Sequence, residues 1–230
     1  TSIVVYQGST AIALILFLGA ALLMPRSVRV IWWTLFAFQT LIVLSGTAHN
    51  YLVYHLHSTS SPNASDIFNI AAYITIFIAL LQLVRRLHPG HDREAWIDAT
   101  ILTIAAASLV GLFIIAPTIS EATEIDAATI LALAYPLLDI GVFSVLTLVV
   151  VGRERLNPSL MILALSAALF LGADLINNLR IAYGASTSTN AWLEAVRLAA
   201  IFAMTAAATA PGARTMATVS PADGPVTSQT

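Results

Sequence analysis

The chain has 230 residues, 58% of them hydrophobic and only 10% charged, whereas a soluble domain carries about 25% charged residues. Its mean hydropathy of +0.87 points to an integral membrane protein. A formal net charge of −2, with no basic run longer than two arginines, gives no footprint for nucleic acid. The chain lacks cysteine, which excludes disulfides, thiolate metal sites and cysteine nucleophiles, and all ten basic residues are arginine, which excludes a retinal Schiff base.

Apolar runs with few charges fall at residues 3 to 24, 30 to 54, 67 to 84, 95 to 117, 127 to 151, 159 to 182 and 190 to 210, each of the length a bilayer-crossing helix needs. The fold expected is all-α, a polytopic bundle of seven transmembrane helices. The first run is too long for a signal peptide and has no basic flank before it, so it counts as a span. The sequence starts at Thr1 without a methionine and ends in a polar tail, which is compatible with trimming from a longer chain and leaves open whether it is a fragment.

Orientation follows from the arginines. Arg26 and Arg29 occupy the first connection, Arg85, Arg86 and Arg93 the third, Arg153 and Arg155 the fifth, and Arg214 follows the last span, whereas HLHSTSSPNASD and TISEATEID contain no basic side chain except histidine. The positive-inside rule then puts the amino terminus outside and the carboxyl terminus in the cytoplasm. Residues 1–211 read as the membrane domain and 212–230 as a flexible cytoplasmic linker or tail, since PGARTMATVSPADGPVTSQT has almost nothing to bury. Pro117 is expected to close the fourth span. Ala199, Ala203 and Ala207 form a small-residue stripe on the seventh, suited to close packing.

The fifth run, AYPLLDIGVFSVLTLVV, sets Asp139 in the middle of an apolar span. A charge there costs about 2.5 to 3.5 kcal/mol on insertion scales, so it has to face something other than lipid. Tyr135 shares its face at four-residue spacing, and Pro136 deprives the Ala132 carbonyl of its usual donor. In the sixth span Asp174 and Asn178 share a face, and in the seventh Glu194 and Arg197 are neighbours at a matching depth. An Asp174–Arg197 pair across these spans, completed by Glu194, Arg180 or the asparagines, would neutralise two expensive groups. These residues are the expected ligand-binding or structural polar network.

A second, outer polar group is expected from His49, His55, His57, Asp66 and Tyr73. No cofactor or metal is expected; haem or a metal through His49, His55 and His57 is the alternative, although the histidines share no recognised ligand spacing. His88 and His91 fall in a solvated turn, and Asp98 is expected to pair with Arg93 or Arg86. The third and fifth spans share an Ala-Tyr pair ahead of an apolar run that ends in arginines, a faint echo of duplication. Metalloprotease, nucleophile-elbow and phosphate-loop motifs are missing, so the chain is not expected to be an enzyme.

SPNASDIFNIAAY, REAWIDATILTIAAASLVGLFIIAP, LAYPLLDIGVFSVL, GADL and NAWLEAVRLAAIFAMTAAATAPGARTM resemble the multi-span region that precedes GGDEF and EAL domains in actinobacterial cyclic-di-GMP signalling proteins. The resemblance covers roughly residues 61 to 216, and its specific positions are Asp66, Tyr73, Trp96, Asp98, Pro117, Tyr135, Pro136, Asp139, Asp174, Trp192 and Pro211. It implies a membrane-embedded sensor or anchor whose cytoplasmic end connects to a cyclase or phosphodiesterase output, and it carries over no established ligand; the partners expected in the bacterial inner membrane are the lipid bilayer and a small ligand or lipid, with a homodimer as one option. Neither a GGDEF nor an EAL sequence occurs in this chain. A small transporter or proton-coupled channel, and a structural membrane subunit, are the competing readings.

Overall fold

The structure is a computed structural model that describes residues 2–57, 61–87, 93–122, 124–151, 157–184 and 190–215. Among the described residues it is helical without strands: α1 (Ser2–Leu22), α2 (Arg26–His55), α3 (Ala64–Leu87), α4 (Arg93–Val110), a π turn (Gly111–Ile115), α5 (Ala116–Glu121), α6 (Ala127–Val150), α7 (Pro158–Ala182), α8 (Ala191–Thr209) and a final 3-10 turn (Pro211–Arg214). Seven helices are long and apolar enough to cross a membrane, with α4, the π turn and α5 forming one continuous span from Arg93 to Ser120. The protein is a multi-pass membrane protein.

Local sequence accounts for the helix starts. Asn63 caps α3 by accepting the Ser65 N–H at 2.8 Å, while Asp66 reaches back to the Asn63 N–H at 2.8 Å, which satisfies two orphan donors reciprocally. Asp126 caps α6 through the N–H of Thr129 at 2.8 Å, and the Thr129 hydroxyl donates to the same oxygen at 2.7 Å. Those hydrogen bonds hold its carboxyl below the usual carboxylate range. Asn157 caps α7, with Pro158 in the first turn, where a missing N–H is harmless.

Pro117 does not close the fourth span: the helix runs through it to Glu121. Its ring and missing N–H disturb the preceding turn, and the chain widens into the π turn Gly111–Ile115 just before it. Pro136 likewise sits buried inside a continuous α6.

Six helices close a ring in the order α1, α2, α3, α6, α7, α8 and back to α1, with α4 outside, packed chiefly on α6. The apolar window of that outer span is 17% buried, against 28–39% in the other six, so most of its surface is left for lipid. Phe17, Trp32, Leu35, Leu80, Leu83, Leu163, Ile201 and Met204 are fully buried within the ring. Phe17 meets Trp32 edge to face at 6.0 Å, and Phe38 of α2 meets Phe170 of α7 at 5.4 Å, both within the preferred range for aromatic pairs.

The α7–α8 seam is made by small residues and hydroxyls. Ser159 Oγ donates to the Ala207 carbonyl and Ser166 Oγ to that of Ala200, both at 2.7 Å, contacts that need close backbone approach. The packed alanines are Ala200, Ala207 and Ala208; Ala199 is exposed and Ala203 half-buried, so the expected stripe is rotated by one residue at its start.

The stretch expected as a linker begins inside the fold. Trp32 Nε1 donates to the Ala213 carbonyl at 3.1 Å and Asn157 Nδ2 to that of Gly212 at 3.0 Å, so residues 212–215 belong to the bundle. A Cβ on Gly212 would collide with the Asn157 side-chain amide, which explains glycine there. Residues 216–230, His88, His91, Arg153 and Arg155 lie outside the described residues.

Candidate functional site

The polar side chains gather near the end of the bundle where α1 begins. Spacing along each helix fixes which groups can meet. On α3, Asp66 and Tyr73 are two turns apart on one face. On α6, Tyr135 and Asp139 are one turn apart, as are Asp174 and Asn178 on α7, while Glu194 and Arg197 are three apart on α8.

Tyr73 is the centre. Its Oη lies 2.6 Å from Asp139 Oδ1 and 2.8 Å from Asp174 Oδ2. Asn178 Nδ2 donates to the second oxygen of Asp139 at 3.1 Å. The second oxygen of Asp174 takes Arg197 Nη2 at 3.0 Å, and Arg197 Nη1 reaches Glu194 at 3.1 Å. Tyr6 of α1 hydrogen-bonds Glu194. One connected set of side chains therefore joins α1, α3, α6, α7 and α8, and Asp139 and Tyr73 within it are only 6% and 8% exposed. Such charges are tolerable at membrane depth because each is hydrogen-bonded.

A parallel contact lies beside it. Tyr135 Oη donates to Asp66 Oδ1 at 2.7 Å, and the Tyr73 and Tyr135 rings are 6.1 Å apart. So α3 and α6 are tied by two reciprocal tyrosine–aspartate contacts, one tyrosine from each helix. The echo between their sequences lands on two helices that pack together.

The site residues expected from sequence divide differently in space. Asp139, Asp174, Asn178, Glu194 and Arg197 meet, and Tyr135 and Pro136 border them. The outer group of His49, His55, His57, Asp66 and Tyr73 does not assemble: Tyr73 joins Asp139 and Asp174, and Asp66 is taken up by the α3 cap and Tyr135. His55 stacks on Tyr51 at 5.2 Å, and His55 and His57 are exposed. Among the described residues no set of three or more histidine, aspartate or glutamate side chains is gathered to hold a metal. Arg180 turns instead toward Asn190, whose amide oxygen can accept both of its terminal N–H groups at 3.0 and 3.2 Å. Asp98 is exposed, and the ion pairs among the described residues are those of Arg197 alone.

Sequence reasoning missed Tyr6, which on its own reads as an interfacial anchor. It also missed Gln39, fully buried and donating to Thr205 Oγ1 at 3.3 Å across α2 and α8. Beyond the cluster, toward the other end of the bundle, Phe38, Ile76, Val142 and Phe170 fill the interior. A cavity of about 20 Å³ lies among them, against Tyr73 and Asp174. No protein-family model, curated protein or solved structure matches this chain.

Proposed function

We propose that this chain is a membrane-embedded sensory domain whose polar cluster responds to a small ligand or lipid and passes the response to the cytoplasm along α8. The observation that carries the proposal is mechanical. Arg197 ties α8 through Asp174 and Tyr73 to α7, α3 and α6, and the same helix leads into the exit turn held by Trp32 and Asn157. A change of partners at one end of α8 is thereby transmitted to the other as a shift of a packed helix. The arginine distribution orients the cluster outward and the exit turn toward the cytoplasm. The resemblance to regions preceding GGDEF and EAL domains supplies the output class, a cyclic-di-GMP cyclase or phosphodiesterase in a bacterial cell membrane, with dimerisation as the way two outputs would be brought together.

A transporter would use the same intramembrane acids. The packed layer of Phe38, Val142 and Phe170 inward of the cluster favours a signalling role over a conduit. The test joins the chain to a cytoplasmic diguanylate cyclase and compares cellular cyclic-di-GMP in wild type, Asp139→Asn and Arg197→Gln. Altered output at equal membrane abundance supports the proposal; unchanged output from folded variants overturns it. Ion or solute flux in proteoliposomes would replace it with the transport reading.

A further inference from the structure

One phenol facing two carboxyl groups leaves a hydrogen unaccounted for. The separations of 2.6 and 2.8 Å from Tyr73 Oη to Asp139 and Asp174 are both those of a full O–H···O bond, yet a phenol carries a single O–H. It can fill one contact. In the other, phenol and carboxylate lone pairs would repel each other unless the carboxyl oxygen itself carries hydrogen. The remaining donors cannot supply it, because Asn178 and Arg197 are directed at the opposite carboxyl oxygens, at 3.1 and 3.0 Å.

Charge counting leads to the same place. The cluster holds Asp139, Asp174 and Glu194 against Arg197, three acids to one cation, so full ionisation would leave two excess negative charges around an aspartate that is 6% exposed. Among the described residues the packed helices show no further ion pair to the cluster: α1 contributes Tyr6, bound to Glu194; α2 presents Phe38 and Ile42; α3 contributes Tyr73; Tyr135 of α6 is committed to Asp66; and Arg180 of α7 faces Asn190. A separate feature provides a route for a proton. The cavity of about 20 Å³ touching Tyr73 and Asp174 has room for one water.

We propose that Tyr73, Asp139 and Asp174 form a proton-binding site, with one proton shared between the two carboxyl groups through the phenol, and that its release is a pH-dependent switch acting on the hydrogen bonds that tie α3 to α6 and α7. This deepens the sensory reading by naming the ligand as a proton. In the bound state neutral Asp139 donates its O–H to Tyr73 Oη, Tyr73 donates to ionised Asp174, and Asp174 accepts Arg197. On release Tyr73 passes its hydrogen to water at the cavity, which touches Tyr73 and Asp174, and takes that of Asp139, which becomes a carboxylate still held by Asn178. Tyr73 then has one hydrogen for two carboxylates, so one of its two ties, to α6 beside Pro136 or to α7, loses its hydrogen bond.

Infrared spectroscopy of the full chain in lipid bilayers, with and without 13C-carboxyl-labelled aspartate, reads this directly. The expected result is a label-sensitive carbonyl stretch of neutral aspartic acid at neutral pH, lost on raising the pH, abolished by Asp139→Asn and shifted in frequency by Tyr73→Phe. A wild-type spectrum without a neutral-aspartate band at neutral pH overturns the proposal whether or not the variants fold. A band indifferent to both substitutions does so too. The band is independent of any output domain, so its presence with an unresponsive cyclase fusion would sink the sensory reading and leave the proton site standing.

Discussion

Arg197 is the side chain whose removal should disturb the bundle most, and the size of the effect can be bounded. Taking one partner from a buried ion pair costs about 3–5 kcal/mol, while exposed pairs contribute about 0–1 kcal/mol. The side chains of Arg197, Asp174 and Glu194 are 26%, 25% and 27% exposed, between those limits, and hydrogen bonds within membranes average only about 0.6 kcal/mol. Arg197→Gln loses two charge-assisted contacts and leaves three acids without their cation, so we expect destabilisation of about 2 kcal/mol. Asp174→Asn should cost about 1 kcal/mol or less, because Glu194 still holds the guanidinium. The double variant should then be less destabilised than the sum by at least about 0.5 kcal/mol, the signature of direct contact. Unfolding measured in the same detergent or bilayer for all four proteins gives the cycle. Additive losses, or Asp174→Asn costing more than Arg197→Gln, would refute the reasoning.

Three further outcomes follow from local geometry. Trp32→Phe leaves the Ala213 carbonyl without its donor, and a spin label at residue 215 should become more mobile while the helix content stays constant. Ser166→Ala should be tolerated within about 1 kcal/mol, whereas Ser166→Leu should force α7 and α8 apart and cost about 1–3 kcal/mol; equal effects in thermal unfolding would contradict a close seam. Asp126 is held as a carboxylate by the Thr129 contacts, so its cap is complete above the ordinary aspartate range and is lost as pH falls through its lowered value. Protection of the Thr129 amide, its exchange measured against the intrinsic rate at each pH, should fall on acidification in wild type but not in Asp126→Asn, which keeps a capping oxygen that does not titrate.

The seven spans were legible because the bilayer sets a length and an apolarity that few other structures demand, and their bounds agree with the helices to within a few residues. Asp139, Asp174 and Arg197 were legible for the same reason: a charge inside such a run must find a partner. What could not be read was which neighbour each helix takes. Sequence proximity groups Tyr73 with the histidines because α3 begins near the end of α2, yet its face turns inward to α6 and α7. The peripheral place of α4 left no trace either, since a lipid-facing helix and a ring helix are both apolar all round. The π turn ahead of Pro117 reflects how the chain accommodates a missing donor, and a proline alone does not tell whether a helix stops or widens.

The central claim is that the intramembrane acids are held between helices by Tyr73. Solid-state NMR of the bilayer-embedded chain, with 13C-labelled aspartate carboxyls and labelled tyrosine rings, measures it directly. Contact of both the Asp139 and Asp174 carboxyls with the Tyr73 ring, as the 2.6 and 2.8 Å hydrogen bonds require, is the result expected. A Tyr73 ring contacting neither carboxyl, with Asp139 in contact with lipid chains, would contradict it.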